Sequence, residues 1–153
     1  MNLIEVTENR NVTGDIKMNA AYSQFRHLLE ELNKKELTPP IIETINQDVL
    51  ALNATQLIGN NLKKFVRKKQ LKIVSLVEKE LKIVPKNHYR NMWLALGMSA
   101  FGIPIGIAFG ISIGNIALLG VGLPIGLAIG MGVGSKMDKK AFEEGRQLDI
   151  ELK

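Results

Sequence analysis

One stretch of 45 residues, from Asn91 to Ser135, contains no Asp, Glu, Lys or Arg, although 23% of the whole chain is charged. An average soluble domain is charged at about a quarter of its positions, so an uncharged stretch of this length does not arise by chance. Eleven of the 14 glycines lie in the same stretch. A stretch so apolar has to be removed from water, either in a membrane or inside a protein core.

The apolar stretch is long enough to cross a membrane twice. One helical span needs about 20 residues, and residues 92–134 provide 43. We therefore predict a first span at about 92–113 and a second span at about 116–134, joined by a tight turn.

The turn is predicted at Gly114 and Asn115, the most polar pair inside the apolar stretch. Both residue types tolerate the left-handed backbone conformation that tight turns require. Gly120-Val-Gly122 is a weaker alternative position for the same turn. Either position leaves the turn without a charged residue.

Basic residues flank both ends of the apolar stretch. They are Lys86, His88 and Arg90 before it, and Lys136, Lys139 and Lys140 after it. Tyr89 and Trp93 lie at the entrance of the first span, and such amphipathic aromatic residues anchor spans at membrane interfaces. Because Lys and Arg collect on the cytoplasmic side, we expect both termini in the cytoplasm.

Glycine recurs at every fourth position of both spans, in the phrases GIPIGIAFGISIG (102–114) and GLPIGLAIGMGVG (122–134). Residues four apart share one face of a helix, so each span carries a smooth glycine face. Such faces allow close backbone approach between membrane helices. The predicted helix-packing residues are Gly102, Gly106, Gly110 and Gly114 in the first span, and Gly122, Gly126, Gly130 and Gly134 in the second.

Three hypotheses account for these faces. The simplest is packing alone, either within one hairpin or between neighbouring chains. The second is a pore lined by several copies of the chain. The third is a soluble protein with a buried hairpin, which we disfavour because 90 mostly helical residues are too few to cover it. Pro104 and Pro124, at equivalent places in the two phrases, are predicted kinks, either as gating hinges or as features of a packed bundle.

The glycine phrases resemble the glycine-zipper hairpins of small two-span membrane proteins, many of them uncharacterised bacterial proteins. The resemblance covers residues 97–139, about a third of the chain. It implies a membrane hairpin that self-associates and lies in the inner membrane of a bacterium. Zipper lipoproteins of the outer membrane carry a lipidated cysteine after a signal peptide, and this sequence shows neither. Their surface location is therefore not transferred.

Residues before the apolar stretch show the three-and-four spacing of amphipathic helices. They predict a first helix at about 18–36, a second from Pro39 to about Asn53, and a third from about Leu62 to Val84, ended by Pro85. The apolar positions are Tyr22, Phe25, Leu28, Leu29 and Leu32 in the first helix, Ile42, Ile45, Val49 and Leu52 in the second, and Leu62, Phe65, Val66, Ile73, Val77 and Leu81 in the third.

The third helix contains a basic run, LKKFVRKKQLK, with no acidic residue in it. Its charged members are Lys63, Lys64, Arg67, Lys68, Lys69 and Lys72. The run is a candidate contact with anionic lipid headgroups or with a protein partner, and a plain solvated face is the alternative. Nucleic acid is disfavoured because Phe65 is the run's only aromatic residue, which leaves little for base stacking.

The two ends of the chain carry weak strand signals. The segment LIEV at 3–6 is one, and the tail RQLDIELK at 146–153 alternates apolar residues with the period of a strand. The two segments could form short strands that pair with each other, and frayed ends are the default expectation.

Catalytic chemistry has little support. The chain lacks cysteine, which excludes disulfides, thiolate metal sites and cysteine nucleophiles. His27 and His88 stand alone, and GMGVGSK at 130–136 has the wrong residue order for a phosphate-binding loop. The apolar stretch has no carboxylate to relay a proton. We therefore predict a protein that is not an enzyme and has no metal or cofactor.

Together these patterns predict an all-α membrane protein, with a helical cytoplasmic domain followed by a two-helix transmembrane hairpin. The predicted function is a structural or scaffolding anchor that self-associates as a homo-oligomer and presents its basic domain to membrane lipid or an unknown protein partner. The alternative is an oligomeric channel or pore. The predicted segments are 1–17, an N-terminal segment; 18–90, the basic helical domain; 91–135, the hairpin; and 136–153, a cytoplasmic tail.

Overall fold

The computed structural model describes residues 3–7 and 16–152, without the side chains of Leu118 and Leu119. The rest of the predicted N-terminal segment lies outside the described residues. A π turn, Met98–Gly102, joins α4 to α5, and a 3₁₀ turn, Ile116–Leu118, precedes α6. The described helices are α1 (Ile16–Asn33), α2 (Pro39–Asn53), α3 (Gly59–Leu81), α4 (His88–Gly97), α5 (Ile103–Ile113) and α6 (Leu119–Glu143).

The described residues contain no β-strand, which confirms the all-helical part of the fold prediction. The chain divides into two compact units. Unit 1 comprises Met1–Pro85 and Leu148–Lys153, and unit 2 comprises Lys86–Gln147. This division differs from the predicted segments because α6 continues to Glu143, and because the last residues of the chain pack into unit 1.

Unit 1 is built on three amphipathic helices, with α3 packed against both α1 and α2. Thr38 precedes the first turn of α2, and Pro39 lies in that turn. A backbone N–H at this position would have no partner in the helix, so the helix loses no hydrogen bond to proline there. Lys82 adopts a left-handed conformation and ends α3 after Leu81, slightly before the predicted end. The core contains the apolar residues whose spacing predicted the helices, with Phe25, Leu28, Leu32, Ile45, Val49, Val66, Ile73 and Val77 fully buried.

The N-terminal segment of unit 1 is held by asparagine side chains. The Leu3 N–H donates to Asn33 Oδ1 at 3.2 Å, and the Ile4 N–H donates to Asn46 Oδ1 at 2.8 Å. Asn53 accepts from the Thr7 N–H at 3.0 Å and donates to the Glu5 carbonyl at 3.1 Å. The possible strand at 3–6 does not form, because side chains of the helices satisfy the backbone that a second strand would otherwise pair with.

The C-terminal tail also packs on unit 1, and the possible strand does not form there. Leu148 and Ile150 are buried in the core. The Leu148 N–H donates to the Val84 carbonyl at 2.9 Å, and the Glu151 carbonyl accepts from the Gln24 side chain at 2.9 Å. The alternation of apolar residues in the tail therefore marks the side chains that face the core, and it does not indicate a β-sheet.

Unit 2 is a helical hairpin. One arm is formed by α4, the π turn and α5, and the other arm by α6, which packs along all three. The arms turn where predicted: Gly114 is left-handed, with φ of 68°, and Asn115 Oδ1 accepts from the Ala117 N–H at 3.0 Å. The alternative turn at 120–122 lies inside α6.

Two helices of unit 2, His88–Ile113 and Gly120–Glu143, are long and apolar enough to span a membrane. This observation supports the membrane part of the fold prediction by length and composition. The second helix extends beyond the predicted span because Lys136, Asp138, Lys139 and Lys140 continue the helix in its polar last turns.

Candidate functional site

The glycine faces of the two arms contact each other within the hairpin. A Cβ atom added to Gly126 would lie 2.6 Å from Gly102 N, and one added to Gly122 would lie 2.7 Å from Gly106 Cα. Real Cβ atoms essentially never come so close to backbone. At these positions any larger residue would push the two helices apart, so the backbone approach depends on glycine.

The contact continues toward the open end of the hairpin. A Cβ atom on Gly130 would lie 2.8 Å from the Trp93 carbonyl carbon, and one on Gly134 would lie 2.7 Å from the Tyr89 carbonyl oxygen. Four glycines of α6 (Gly122, Gly126, Gly130 and Gly134) therefore face the other arm along its length. We call this surface the glycine contact, and it includes Gly97, Gly102 and Gly106 of the first arm.

Gly97 belongs to the glycine contact although the four-residue spacing omits it. A Cβ atom on Gly97 would lie 2.9 Å from Gly130 Cα. Gly97 is five residues before Gly102, and the π turn Met98–Gly102 lies between them. A π turn accommodates one residue more per turn than an α-helix, so it returns Gly97 to the face that Gly102 occupies.

Two predicted packing residues lie outside the close part of the contact. A Cβ atom on Gly110 would meet Asn115 O at 3.6 Å, an ordinary contact distance. Gly114 has open space around it and serves the turn through its left-handed backbone. Gly120 and Gly132 are also glycines of α6, but no atom of the described residues lies within 4 Å of a Cβ atom added there. The chain thus offers matched glycines inside and outside the contact.

The two prolines occupy different helical contexts. Pro104 is the second residue of α5, separated from the end of the π turn by one residue. Since proline has no N–H, the Ala100 carbonyl within the π turn receives no bond from it. Pro124 lies inside α6, which continues past it to Glu143. The two prolines therefore occupy equivalent places in the glycine phrases but lie in different backbone geometries.

Asp138 joins the open ends of the two arms and was not singled out from the sequence. Its two carboxylate oxygens accept the Tyr89 N–H at 3.0 Å and the Arg90 N–H at 2.9 Å. Both donors belong to the first turn of α4, whose N–H groups lack partners inside the helix. Asp138 is buried and caps α4 from the opposite arm. Its only sequence signal is that it is the single acidic residue between Glu80 and Glu143.

The predicted interface anchors lie beside this cap. The Trp93 indole N–H points to Met137 Sδ at 3.0 Å, and Tyr89 forms an edge-to-face contact with His88, with ring centroids 5.1 Å apart. Both aromatic residues are half-buried. Trp93 therefore helps to hold the open end of the hairpin together, whereas the Tyr89 ring contacts its neighbour on the same arm.

The outward surface of the hairpin carries its large apolar side chains. Ile111 is 77% exposed and Ile107 is 43% exposed, whereas Gly106 and Gly110 on the same arm are buried. The second arm repeats this arrangement, with Ile125, Ile129 and Val133 exposed and its glycine face turned inward. Unit 2 therefore has small residues inside and large apolar residues outside.

The structure divides the basic run of α3. Lys69 Nζ lies 2.7 Å and Lys72 Nζ 3.0 Å from Oδ1 of Asp48 in α2. Burial opposes ionisation of Asp48, but the hydrogen bonds from the two lysines outweigh it and lower the pKa of this carboxyl. Lys69 also covers the Phe65 ring at 5.3 Å. The other members of the run are the half-buried Lys63 and the exposed Lys64, Arg67 and Lys68.

A second buried carboxylate in unit 1 holds the tail. Glu31 accepts hydrogen bonds from Lys34 Nζ and from the Asp149 N–H, the latter at 2.9 Å. His27 Nε2 lies 3.8 Å from the same carboxylate. The Lys34 hydrogen bond lowers the pKa of Glu31 against the effect of burial, and the Asp149 N–H adds to the lowering. An ionised Glu31 thus fixes the tail to α1.

No protein-family model, curated protein or solved structure matches this chain. The function proposed below therefore rests on the geometry of the described residues.

Proposed function

We propose that this chain is a membrane-anchored structural protein, in which unit 2 is embedded in a bilayer and tethers the helical unit 1 to the membrane. The observation that supports this most strongly is the arrangement of unit 2, with glycine faces inward and large apolar side chains outward. Contiguous exposed apolar surface is rare on soluble monomers, and lipid tails satisfy it without a protein partner.

The small buried fraction of the two long helices supports the same proposal. Only 22% of the most apolar window of each helix is buried. The core helix of a soluble protein would be mostly buried, so this value weighs against the soluble alternative. Inside lipid, backbone N–H and C=O groups must bond within the helix, which keeps glycine-rich segments such as 122–134 helical.

The topology proposal is that both termini face the cytoplasm of a bacterial cell and the turn at Gly114 lies across the inner membrane. The hydrogen bond between Leu148 and Val84 supports it, because the residues before and after the hairpin lie side by side within unit 1. Basic residues at both ends of the hairpin then fall on the cytoplasmic side, where they are usually enriched.

The absence of cysteine from the chain makes the topology directly testable. Asn115→Cys places a thiol in the turn, and Ser75→Cys places one on the exposed side of α3 in unit 1. An impermeant maleimide added to intact cells should label only Asn115→Cys, and permeabilisation should expose Ser75→Cys. The protein should also remain with membranes after an alkaline carbonate wash. Release into the supernatant, or labelling of Ser75→Cys from outside, would contradict the proposal.

Self-association and a protein partner remain parts of the proposal with separate tests. The glycine contact occupies the glycine faces within one chain, so a homo-oligomer would form through the outward surface. Crosslinking in native membranes measures whether it forms, and co-purification in mild detergent identifies a partner. Ion flux through liposomes that contain the purified protein tests the channel alternative, which no feature of the described residues favours over the anchor.

A further inference from the structure

The exposed side of α3 combines two exposed lysines with an exposed apolar side chain. Lys64 and Lys68 are both exposed, and neither has an ion-pair or hydrogen-bond partner within the described ranges. Leu71 follows Lys68 by three residues and is 62% exposed. Residues at these spacings share one helix face, and the exposed Ser75 extends that face by one turn. We call Lys64, Lys68 and Leu71 the α3 face.

The ion pairs of Asp48 distinguish two other lysines of the basic run from those of the α3 face. Lys69 and Lys72 are directed to the Asp48 carboxylate and serve the packing of α2 against α3. Lys64 and Lys68 have no such internal role. Their positive charge is presented to whatever lies outside unit 1, and it attracts an anionic surface.

We propose that the α3 face docks on anionic lipid headgroups, with Lys64 and Lys68 against the phosphates and Leu71 entering the acyl boundary. This inference rests on the proposed membrane anchoring, because a tethered unit 1 is held at high effective concentration near lipid. Helices that lie on membranes pair basic residues with apolar side chains in this way. Long lysine side chains reach headgroups while their stems cover apolar surface.

Lipid suits the α3 face better than nucleic acid does. Single-stranded nucleic acid is bound by aromatic side chains that stack on its bases. Phe65 is half-buried and is covered by Lys69, so it offers no free ring. Leu71 adds an apolar contact that a phosphate backbone cannot use. The mixed chemistry of the face therefore matches a lipid interface.

The experiment uses the full chain in lipid nanodiscs. Ser75→Cys carries a polarity-sensitive fluorophore beside Leu71, and the cysteine-free chain allows labelling at that site alone. Discs of phosphatidylcholine are compared with discs that also contain phosphatidylglycerol. We expect bluer emission and a longer lifetime in the anionic discs, and a loss of this difference at high salt because exposed charges are screened. A probe at Leu50→Cys, on the exposed side of α2, should not respond.

Matched variants separate charge from structure. Lys64→Gln with Lys68→Gln should lower the ratio of docked to free probe about 30-fold, given the usual contribution of a basic residue near an anionic surface. Lys64→Arg with Lys68→Arg keeps the charge and should preserve docking. Leu71→Ser should shorten the lifetime of the docked population while the dependence on anionic lipid remains.

Each other outcome has a defined meaning. Identical emission in neutral and anionic discs would overturn this inference and leave the membrane anchor intact. A response to an RNA oligonucleotide in neutral discs, with none to anionic lipid, would assign the α3 face to nucleic acid instead. Failure of the chain to enter either disc would overturn the proposed function, and this inference with it.

Discussion

Gly126 approaches Gly102 so closely that a Cβ atom on Gly126 would lie 2.6 Å from Gly102 N. The two residues are in different arms of the hairpin and close it through backbone contact alone. The obstacle to a side chain at this position is backbone, which cannot turn aside as a flexible side chain can. The glycine contact is therefore a requirement of the hairpin geometry and sets the distance between its arms.

Gly126→Ala should destabilise the hairpin by about 1–3 kcal/mol, the usual range for an overpacked site. Thermal unfolding of the full chain in detergent, followed by circular dichroism, measures the effect. Gly132→Ala is the matched control on the same helix, where an added Cβ atom meets open space. It should be neutral or stabilising by up to about 1 kcal/mol, because alanine is the better helix former. Equal effects at the two positions would contradict the glycine contact.

Gly97→Ala tests the role of the π turn. We expect it to destabilise the hairpin by an amount similar to Gly126→Ala, about 1–3 kcal/mol, because an added Cβ atom would lie 2.9 Å from Gly130 Cα. The same thermal measurement applies. A neutral result would mean that Gly97 lies off the glycine face, as its five-residue spacing from Gly102 suggests for an uninterrupted α-helix.

Asp138→Ala should expose the amides of Tyr89 and Arg90 to hydrogen exchange, since both lose their acceptor. The loss of a helix cap costs about 0.5–2 kcal/mol, and every 1.36 kcal/mol corresponds to about a tenfold faster exchange of these two amides. Asp138→Asn keeps one acceptor oxygen and should have roughly half the effect. Glu143→Gln, on the exposed side of the same helix, is the control, and unchanged exchange in Asp138→Ala would refute the cap.

Unit 1 should lose stability in acid. The folded structure lowers the pKa of Asp48 and of Glu31 below their ordinary values of 3.8 and 4.5. The unfolded chain therefore binds protons at these groups first, so their stabilising contribution is present above these values and is lost as the pH falls below them. Thermal scans from pH 7 to pH 3 should show the melting temperature falling below about pH 4.5.

Asp48→Asn should remove part of that acid dependence and lower stability at pH 7 by about 1–3 kcal/mol. The figure is below the 3–5 kcal/mol usual for breaking a buried pair, since the Lys72 side chain is 58% exposed and water screens it. Glu43→Gln, on the same helix, is the charge control. An unchanged pH profile in Asp48→Asn would contradict the assigned role.

Leu148→Ala should destabilise unit 1 by about 2–5 kcal/mol, the range for truncating a fully buried leucine, because Leu148 is buried in its core. Chemical denaturation followed by the loss of helical signal measures it. Leu50→Ala removes the same atoms from an exposed position of α2 and should change stability by less than about 0.5 kcal/mol. A small effect of Leu148→Ala would mean that the tail is not part of unit 1.

Much of the fold could be predicted because helical periodicity is a local property of the sequence. The spacing of Phe25, Leu28 and Leu32 marks a buried face whatever that face packs on, and these residues are fully buried. Gly114 and Asn115 stand out in an apolar stretch, and the chain turns there. The alternation of apolar residues in the tail is compatible with a strand, but no strand forms there, since a two-residue period also arises where an irregular segment packs one side on a core.

What the sequence determined alone is therefore composition and periodicity: an apolar stretch long enough for two spans, a turn between them, glycine faces and amphipathic helices. The tertiary structure decided which residues meet. Gly97 lies on the glycine face because of a π turn. Asp138 accepts a hydrogen bond from Tyr89 across the hairpin, and Asp48 forms an ion pair with Lys69 of the basic run. Each contact joins residues from different turns or helices. Its energy depends on their distance in space, so it produces no repeating pattern along the sequence.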